Sequence, residues 1–266
     1  MAIEVMQRYE NKYLIDSDTY LKLQTRISEQ TELDAYNKKV DYYTISNLYY
    51  DTEDNSLIRT SLFKPKYKEK LRLRAYGVPT ELDEVFLEIK KKYNGLVNKR
   101  RTRLRLPEAY EFLRTGEKPP LKEYMNGQVL SELEYFLKRY EVSPKLYLAY
   151  DRRAYFGENG LRITFDTNIR TRRNDIRLEK GDYGDQLIAD DLWLMEVKAA
   201  GAIPVWLVKL LSEYKVYSTS FSKYGTEYQK MIEMRGGDAK CLNPSSMPRQ
   251  AKPQQSHCKV FLPQWA

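Results

Sequence analysis

Apolar and polar residues alternate along much of the chain, which is the pattern of half-buried β-strands. In the stretch KEKLRLRAYG at residues 68–77, Lys70, Arg72 and Arg74 fall on one face and the intervening leucines on the other. The same alternation predicts strands over residues 5–15, 46–51, 68–76, 85–92, 96–106, 146–156, 161–169, 176–178 and 192–198.

Helical periodicity is confined to fewer segments. Residues 17–30 place Tyr20, Leu23 and Ile27 on one face, and Asp16 precedes them as an N-cap. The other predicted helices cover residues 107–114, 131–140, 204–214 and 222–234. An Asn-Gly pair at 94–95 predicts a hairpin turn between two strands. Many antiparallel strands with peripheral helices predict an α+β fold built on a large sheet or barrel.

The composition changes near Gly236, where a Pro/Ser/Gln-rich segment without periodicity begins. We expect residues 1–235 to form the domain and residues 236–266 to be a tail that is disordered or of foreign origin. Both cysteines, Cys241 and Cys258, and the only histidine, His257, lie in this tail. Zinc sites and Cys/His catalytic dyads are therefore excluded from the predicted domain.

The net charge of +8 favours anionic partners. One face of successive predicted strands is dominated by Arg and Lys with single carboxylates between them. These positions are Arg8, Glu10 and Lys12; Lys70, Arg72 and Arg74; Glu88, Lys90 and Lys92; Arg101, Arg103 and Arg105; Arg152; Arg162 and Asp166; and Glu196 and Lys198. If helices cover the opposite apolar faces, a sheet closed into a barrel encloses these charges in a cationic lumen.

Such a lumen is costly when empty, because like charges repel and lose hydration. It is reasonable if it binds a polyanion, since Arg and Lys bind phosphate and a divalent cation reconciles phosphate with nearby carboxylates. The alternative is an ordinary sheet with an exposed basic face that binds RNA. A Walker-type glycine loop is missing from the sequence, so side chains and not backbone amides are expected to hold the phosphates.

A family resemblance rests on eight motifs in order along the chain. They are RYENKYLI at 8–15, NLYYDT at 47–52, KLRLRAYG at 70–77, FLEIKKKYNGLVNKRR at 86–101, YDRRAYF at 150–156, LRITFDTNI at 161–169, LMEVK at 194–198 and SFSKYG at 220–225. In these motifs the sequence resembles the VTC-type polyphosphate polymerase domain of the triphosphate tunnel metalloenzyme (CYTH-like) superfamily.

The resemblance implies a closed eight-stranded antiparallel β-barrel, the triphosphate tunnel, with peripheral helices. It also implies transfer of the γ-phosphoryl group of ATP to a growing polyphosphate chain, with Mn²⁺ or Mg²⁺ as cofactor. The catalytic candidates are Arg72, Arg74, Lys90, Arg152, Arg162 and Lys198. The candidates for binding the remaining phosphates are Arg8, Lys12, Lys70, Arg100, Arg101, Ser222 and Lys223.

Glu196 is the main metal candidate. Glu10 and Glu88 either bind the metal or orient neighbouring cations such as Arg8 and Lys90, and Asp166 is similarly ambiguous. Ser222 and Lys223 alternatively cap the last helix, which is compatible with phosphate binding at a helix N-terminus.

We expect ATP and polyphosphate as partners, and neither nucleic acid nor a membrane span. The start of the chain lacks the pattern of a secretory signal, so a cytoplasmic location is expected. The regulatory SPX domain and membrane channel of eukaryotic members have no counterpart in the sequence, which leaves their control and export functions, and any membrane partner, open.

Two other functions stay open from the sequence. One is a hydrolase of the same fold that cleaves inorganic triphosphate or another triphosphorylated substrate, with Glu10 or Glu88 positioning the attacking water. The other is a non-catalytic module that binds polyphosphate or RNA, for which metal and Glu196 are dispensable.

Overall fold

The computed structural model describes residues 9–94 and 96–236, and this part of the chain forms ten β-strands and six α-helices. The strands are β1 (Tyr9–Asp16), β2 (Glu32–Leu33), β3 (Tyr43–Asp51), β4 (Tyr67–Tyr76), β5 (Glu84–Tyr93), β6 (Leu96–Arg105), β7 (Ser143–Phe156), β8 (Arg162–Arg172), β9 (Asp185–Gln186) and β10 (Leu192–Ala199). The helices are α1 (Ser17–Ser28), α2 (Ser56–Leu62), α3 (Leu106–Thr115), α4 (Gly127–Arg139), α5 (Val205–Glu213) and α6 (Lys223–Met234). Arg8, Gly95, and the predicted tail beyond Gly236 lie outside the described residues.

One large antiparallel sheet carries the fold, which confirms the α+β class. Its strand order is β1-β10-β8-β7-β3-β4-β5-β6, while the short strands β2 and β9 pair with β7 and β8. The predicted hairpin is confirmed by the pairing of β5 with β6, which runs to Tyr93 opposite Leu96 beside the turn.

The prediction of a closed barrel is wrong, because no ladder joins the edge strands β1 and β6 among the described residues. Part of the free edge of β1 is occupied by the segment before α6: the Thr219 amide donates to the Lys12 carbonyl at 2.7 Å. The sheet nevertheless curls back on itself, since Glu10 Oε2 on β1 lies 4.0 Å from Lys90 Nζ on β5. Side chains, and not backbone hydrogen bonds, therefore span the gap.

Helices cover the apolar outer face of the sheet, as the sequence predicts. Leu71, Leu73 and Leu87 pack in one cluster with residues of α3 and α4. Phe165 and Val197 pack in a second cluster with residues of α1 and α5. Because side chains alternate along a strand, this packing directs the charged positions to the concave inner face.

A third apolar cluster lies on the concave face itself and was not predicted. Tyr49 is opposite Arg72, and Leu148 is opposite Asn47, so both point inward with the charged residues. They pack in one cluster with Tyr224 and Tyr228 of α6. One end of the concave face is thus filled by α6, and the charged side chains are confined to the remainder.

Several local predictions are confirmed and others are not. Asp16 is the N-cap of α1, with its carboxylate accepting from the Thr19 amide at 2.7 Å. Helix α2 was missed; it begins where the buried Asp51 carboxylate accepts from the Leu57 and Ile58 amides. The predicted strand at 176–178 is wrong, because a 3₁₀ turn begins at Leu178 and the nearby Arg177 carbonyl accepts from a guanidinium instead of pairing with a strand.

Across residues 9–94 and 96–236, none of the helices combines the length and apolar character needed to cross a membrane.

Candidate functional site

Strand register brings most of the predicted charged residues together on the concave face. Arg72 is opposite Glu88 and Lys70 is opposite Lys90, while Lys12 is opposite Glu196 on the other side of the sheet. We call the resulting group the cationic cluster. It comprises nine cations, Lys12, Lys70, Arg72, Arg74, Lys90, Lys99, Arg152, Lys198 and Lys223, and four carboxylates, Glu10, Glu88, Asp166 and Glu196.

Glu88 is the anchor of one side of the cluster. Its carboxylate is 1% exposed and lies 2.6 Å from Arg72 Nη2 and 2.7 Å from Lys99 Nζ, with Arg74 Nε at 3.9 Å. Burial raises the pKa of Glu88, but Arg72, Arg74 and Lys99 outweigh it and hold the pKa well below its usual range. Glu88 is thus a fixed negative charge that orients Arg72. The sequence had suggested that it orients Lys90.

Arg74 is positioned by neutral partners on the neighbouring strands. Its Nε donates to Asn47 Oδ1 at 2.9 Å, and its Nη2 donates to the Tyr150 hydroxyl at 3.1 Å. Burial raises the pKa of Tyr150, but Arg152 and Arg74 outweigh it and lower the pKa below its ordinary value. Apart from Glu88, which lies 3.9 Å from Nε, these partners are neutral, so part of the charge of Arg74 is available to an anion in the concave space.

Asp166 is the anchor of the opposite side. Arg152 donates to both carboxylate oxygens, at 2.6 and 2.7 Å, and Lys223 Nζ donates to Oδ2 at 2.5 Å. Burial raises the pKa of Asp166, and the two cations outweigh that effect and lower it. Since Lys223 is the first residue of α6 and Ser222 Oγ accepts from the Gly225 amide as N-cap, the predicted cap is confirmed and the helix start faces the cluster.

Glu196 and Glu10 share the same two lysines. Lys12 Nζ lies 3.5 Å from each carboxylate, and Lys198 Nζ lies 2.8 Å from Glu196 Oε2 and 3.9 Å from Glu10 Oε2. Burial raises the pKa of both carboxyls, but the surrounding cations outweigh burial and lower it, most strongly at Glu196. Both groups are therefore ionised and close together at neutral pH.

The donor set around Glu196 and Glu10 fits a divalent cation only in part. In residues 9–94 and 96–236, no group of three His, Cys, Asp or Glu side chains is arranged to hold a metal ion. Two ionised carboxylates match the way Mg²⁺ is usually held, by one or two carboxylates together with substrate phosphates and water. Glu88 fits poorly, because its side chain is 1% exposed and Arg72 and Lys99 engage its carboxylate at 2.6 and 2.7 Å, whereas Glu10 is 25% exposed and its lysines lie 3.5–4.0 Å away.

The charged groups that most affect Lys70 are cations, and no carboxylate among residues 9–94 and 96–236 lies within 4.0 Å of its Nζ. Burial lowers its pKa, and Lys90, Lys68, Lys12 and Arg72 lower it further, to about 7. Its Nζ has a long contact of 3.5 Å to Ser222 Oγ. An incoming anion would therefore provide Lys70 with an oppositely charged partner.

Some predicted residues lie elsewhere. The expectation that Arg100 faces the concave side is wrong: it pairs with Ile89 on the outer face and lies 3.6 Å from Glu132 of α4. Arg101 does face inward, but it is exposed at the sheet edge, with its guanidinium 4.8 Å from the Phe86 ring centre. Arg162 lies at the rim, 3.7 Å from Asp34. Arg8 is outside the described residues.

Sequence reasoning missed four residues of the site. Lys99 alternates with Arg101 and Arg103 on β6, so the period-two pattern could have found it. Asn47, Tyr49 and Tyr150 were not predicted as site residues, because neutral residues on a strand carry no charge signal. Tyr49 nevertheless accepts a hydrogen bond from Arg72 Nη1 at 3.2 Å, which makes it a positioning residue.

The comparisons with known proteins agree with this geometry. A family model described as the VTC domain matches residues 7–232. No match was found among the curated proteins.

Among solved structures, a protein from Hippeastrum described as having a dominant triphosphatase activity is similar in fold. It is 16% identical, with a TM-score of 0.50 over 88% of this chain and 97% of that one. A Bacillus halodurans protein described as an adenylate cyclase candidate is 15% identical, with a TM-score of 0.49 over 82% of this chain and 96% of that one.

Proposed function

Because the chain belongs to the VTC domain family, we propose that it is an ATP-dependent polyphosphate polymerase. In this proposal the γ-phosphoryl group of ATP moves to the end of a growing polyphosphate chain on the concave face of the sheet. The observation that supports it is the cationic cluster, in which nine cations from six strands of the main sheet and from α6 surround a space that holds only four carboxylates among the described residues.

The proposed roles follow from position in the cluster. Arg72 and Arg74 are two residues apart on β4 and point to the same face. Glu88 holds Arg72 and Asn47 holds Arg74, so both guanidinium groups approach the transferred phosphoryl group with fixed geometry. The other groups proposed to contact that phosphoryl are Lys90, Arg152 and Lys198; Arg162 is left out because it lies at the rim beside Asp34. The groups proposed to hold the rest of the polyphosphate chain are Lys12, Lys70, Lys223 and Ser222.

The proposed step is an in-line displacement. A terminal oxygen of the polyphosphate chain forms a bond to the γ-phosphorus, the bond from that phosphorus to the β-γ bridging oxygen breaks, and ADP leaves with the electron pair. Phosphoryl transfer needs little from the protein besides positioning and charge neutralisation, which Arg and Lys side chains supply. The attacking oxygen is already anionic, so this step requires no general base.

Mn²⁺ or Mg²⁺ is part of the proposal, with Glu196 and Glu10 as the residues that would hold it beside the substrate phosphates. When bound, such a cation supplies further neutralisation of charge on the transferring phosphoryl. We assign Glu88 to the orientation of Arg72 and leave it out of the metal site, since its side chain is 1% exposed and its carboxylate is engaged by Arg72 and Lys99 at 2.6 and 2.7 Å.

A hydrolase of the same fold is the second candidate, and the fold shared with the Hippeastrum protein is the observation that favours it. Hydrolysis benefits from a base that accepts a proton from water. Each carboxylate of the cluster is already within 4.0 Å of at least two cations, which gives less support to that role. Polymerisation is therefore the function that the site supports better.

Incubation of the purified protein with γ-labelled ATP and Mn²⁺, followed by sizing of the labelled products on a gel, tests the proposal. We expect a ladder of labelled polyphosphate, and loss of the ladder in Lys90→Ala. Lys118→Ala is the matched control, because Lys118 is an exposed lysine paired with Glu134 away from the cluster. Labelled inorganic phosphate without a ladder would favour the hydrolase, and unchanged ATP would favour a binding module.

A further inference from the structure

Three aromatic side chains of the sheet line the rim of the concave face near the arginines. Tyr43 is opposite Arg152, Phe86 is opposite Arg74, and Tyr76 lies two residues after Arg74 on the same face of β4. Two residues along a strand are about 7 Å. Tyr43 and Phe86 therefore lie beside arginines of the cationic cluster, and Tyr76 lies one side-chain step beyond Arg74.

These rings form a continuous surface with Tyr36 from the segment between β2 and β3. The Tyr36 and Tyr76 rings are parallel to within 2°, with centres 5.7 Å apart, and Tyr43 packs against both. Phe86 meets Tyr76 edge-on at 5.7 Å. Although they are packed together, Tyr36 is 57% exposed and Tyr76 is 40% exposed.

The segment that carries Tyr36 is fixed to the sheet. Asn37 Nδ2 donates to the Arg152 carbonyl at 3.1 Å, and Asn37 Oδ1 accepts from the Ala154 amide at 2.9 Å. Asp34 Oδ1 accepts from the Tyr36 amide at 2.9 Å. The exposed aromatic surface is therefore held in place before any ligand arrives, which lowers the entropy cost of stacking on it.

Aromatic faces are of no use to a phosphate chain, which carries no ring to stack on them. A nucleoside triphosphate with its γ-phosphate in the cluster directs its base outward, because the base is at the other end of the molecule. Base–aromatic stacking needs an exposed ring face, and a nearby guanidinium adds a cation–π contribution. The Arg101 guanidinium lies over the Phe86 ring. Both residues line a pocket of about 230 Å³ together with Arg103 and Tyr124.

We propose that Tyr36 and Tyr76 form a stacking platform for the base of the donor nucleotide at the open mouth of the concave face. This inference rests on the proposed function, because it assumes that the γ-phosphate lies in the cationic cluster. The platform makes a nucleoside triphosphate a better ligand than inorganic tripolyphosphate of equal charge, and it favours purines over pyrimidines because a larger ring system stacks over more area.

Titration calorimetry with ATP and with inorganic tripolyphosphate tests the platform on the full chain. The variant Tyr36→Ala with Tyr76→Ala should bind ATP about ten-fold more weakly, the scale expected from alanine substitution of stacking residues. Its affinity for tripolyphosphate should be unchanged. The pair Tyr36→Phe with Tyr76→Phe keeps the rings and should retain ATP binding. Tyr93→Ala, an exposed tyrosine at the far end of β5, is the control and should change neither affinity.

Two results would overturn the platform. Equal weakening of ATP and tripolyphosphate would show that the rings only support the cluster, and unchanged binding of both would show that they only pack the segment against the sheet. The calorimetric readout is separate from the sizing of labelled products. If the wild-type protein makes no polymer, but the double variant loses affinity for ATP and keeps its affinity for tripolyphosphate, the platform is supported and the polymerase proposal is refuted.

Discussion

Replacement of Glu88 by glutamine removes the buried carboxylate that lies between Arg72, Arg74 and Lys99. The substitution preserves the shape of the side chain and deletes its charge. Arg72 Nη2 at 2.6 Å and Lys99 Nζ at 2.7 Å are then left beside Arg74 without an anion. We expect the folded state to lose stability, because the three cations repel one another at a site where Glu88 itself is 1% exposed.

The magnitude follows from the exposure of the partners. Removing one member of a buried ion pair costs about 3–5 kcal/mol. The Arg72 and Lys99 side chains are 21% and 36% exposed, so solvent screens part of the penalty. We therefore expect a loss of about 2–3 kcal/mol in the free energy of unfolding, since exposed pairs contribute much less than buried ones. For a domain of this size that corresponds to a fall of roughly 5–10 °C in melting temperature.

Urea unfolding followed by circular dichroism at pH 6 measures this loss, because burial lowers the pKa of Lys99 to about 7 and Lys99 is charged only below that value. Glu84→Gln is the control on the same strand, since Glu84 has a similar pair with Arg103 at 3.2 Å but both side chains are exposed; we expect a loss below about 0.5 kcal/mol. Tripolyphosphate should stabilise Glu88→Gln more than the wild type, because it replaces the missing charge. A Glu88→Gln protein as stable as Glu84→Gln would refute the role of Glu88 as anchor.

The lowered pKa of Glu88 also predicts how the free energy of unfolding changes with pH. The pKa of Glu88 is lower in the folded protein than its ordinary value of 4.5. Its contribution to stability is therefore fully present above that value and is lost as the pH falls toward the folded pKa. The stability difference between wild type and Glu88→Gln should shrink when urea unfolding is repeated at progressively lower pH below 4.5.

Two further predictions concern anion binding by the cluster. Metal-free binding of tripolyphosphate should weaken as the pH rises through about 7, because Lys70 and Lys99, whose pKa values burial lowers to about 7, lose their protons there; calorimetry of Lys70→Arg should show a flatter profile, since Arg stays charged. Tripolyphosphate should raise the melting temperature of the wild type, with a shift that salt reduces but does not abolish because enclosed charges are screened less. A larger shift with duplex RNA would instead favour an open basic face.

Much of the inner face could be predicted because alternation along a strand is a local property. The position of Lys70, Arg72 and Arg74 opposite the two leucines of KLRLR required only the pleat of one strand. Arg100 shows the limit of this reasoning. Its two neighbours, Lys99 and Arg101, are also cationic, so the residue types do not show which of the three point inward; the register of β6 places Arg100 on the opposite face from the other two.

The rest depended on contacts between distant parts of the chain. Closure of a barrel requires the two edge strands to meet, and the pairing of the Thr219 amide with β1 is a contact that no local pattern encodes. The insertion of Tyr224 and Tyr228 into the concave face is likewise a tertiary contact between α6 and strands far away in sequence. Neutral positioning groups such as Tyr150 and Asn47 become visible only when Arg74 is placed between them.

The most direct test of the central claim, that the concave cationic cluster is the phosphate site, is titration of tripolyphosphate without metal into Arg72→Ala and Glu196→Gln. Arg72→Ala removes a charged donor on the inner face, and we expect binding to weaken about ten- to a hundred-fold, as for loss of hydrogen bonds to a charged group. Glu196→Gln removes a carboxylate that engages Lys198 at 2.8 Å, so binding should be retained or tightened. Wild-type affinity in Arg72→Ala, or loss of binding in a folded Glu196→Gln protein, would contradict the account.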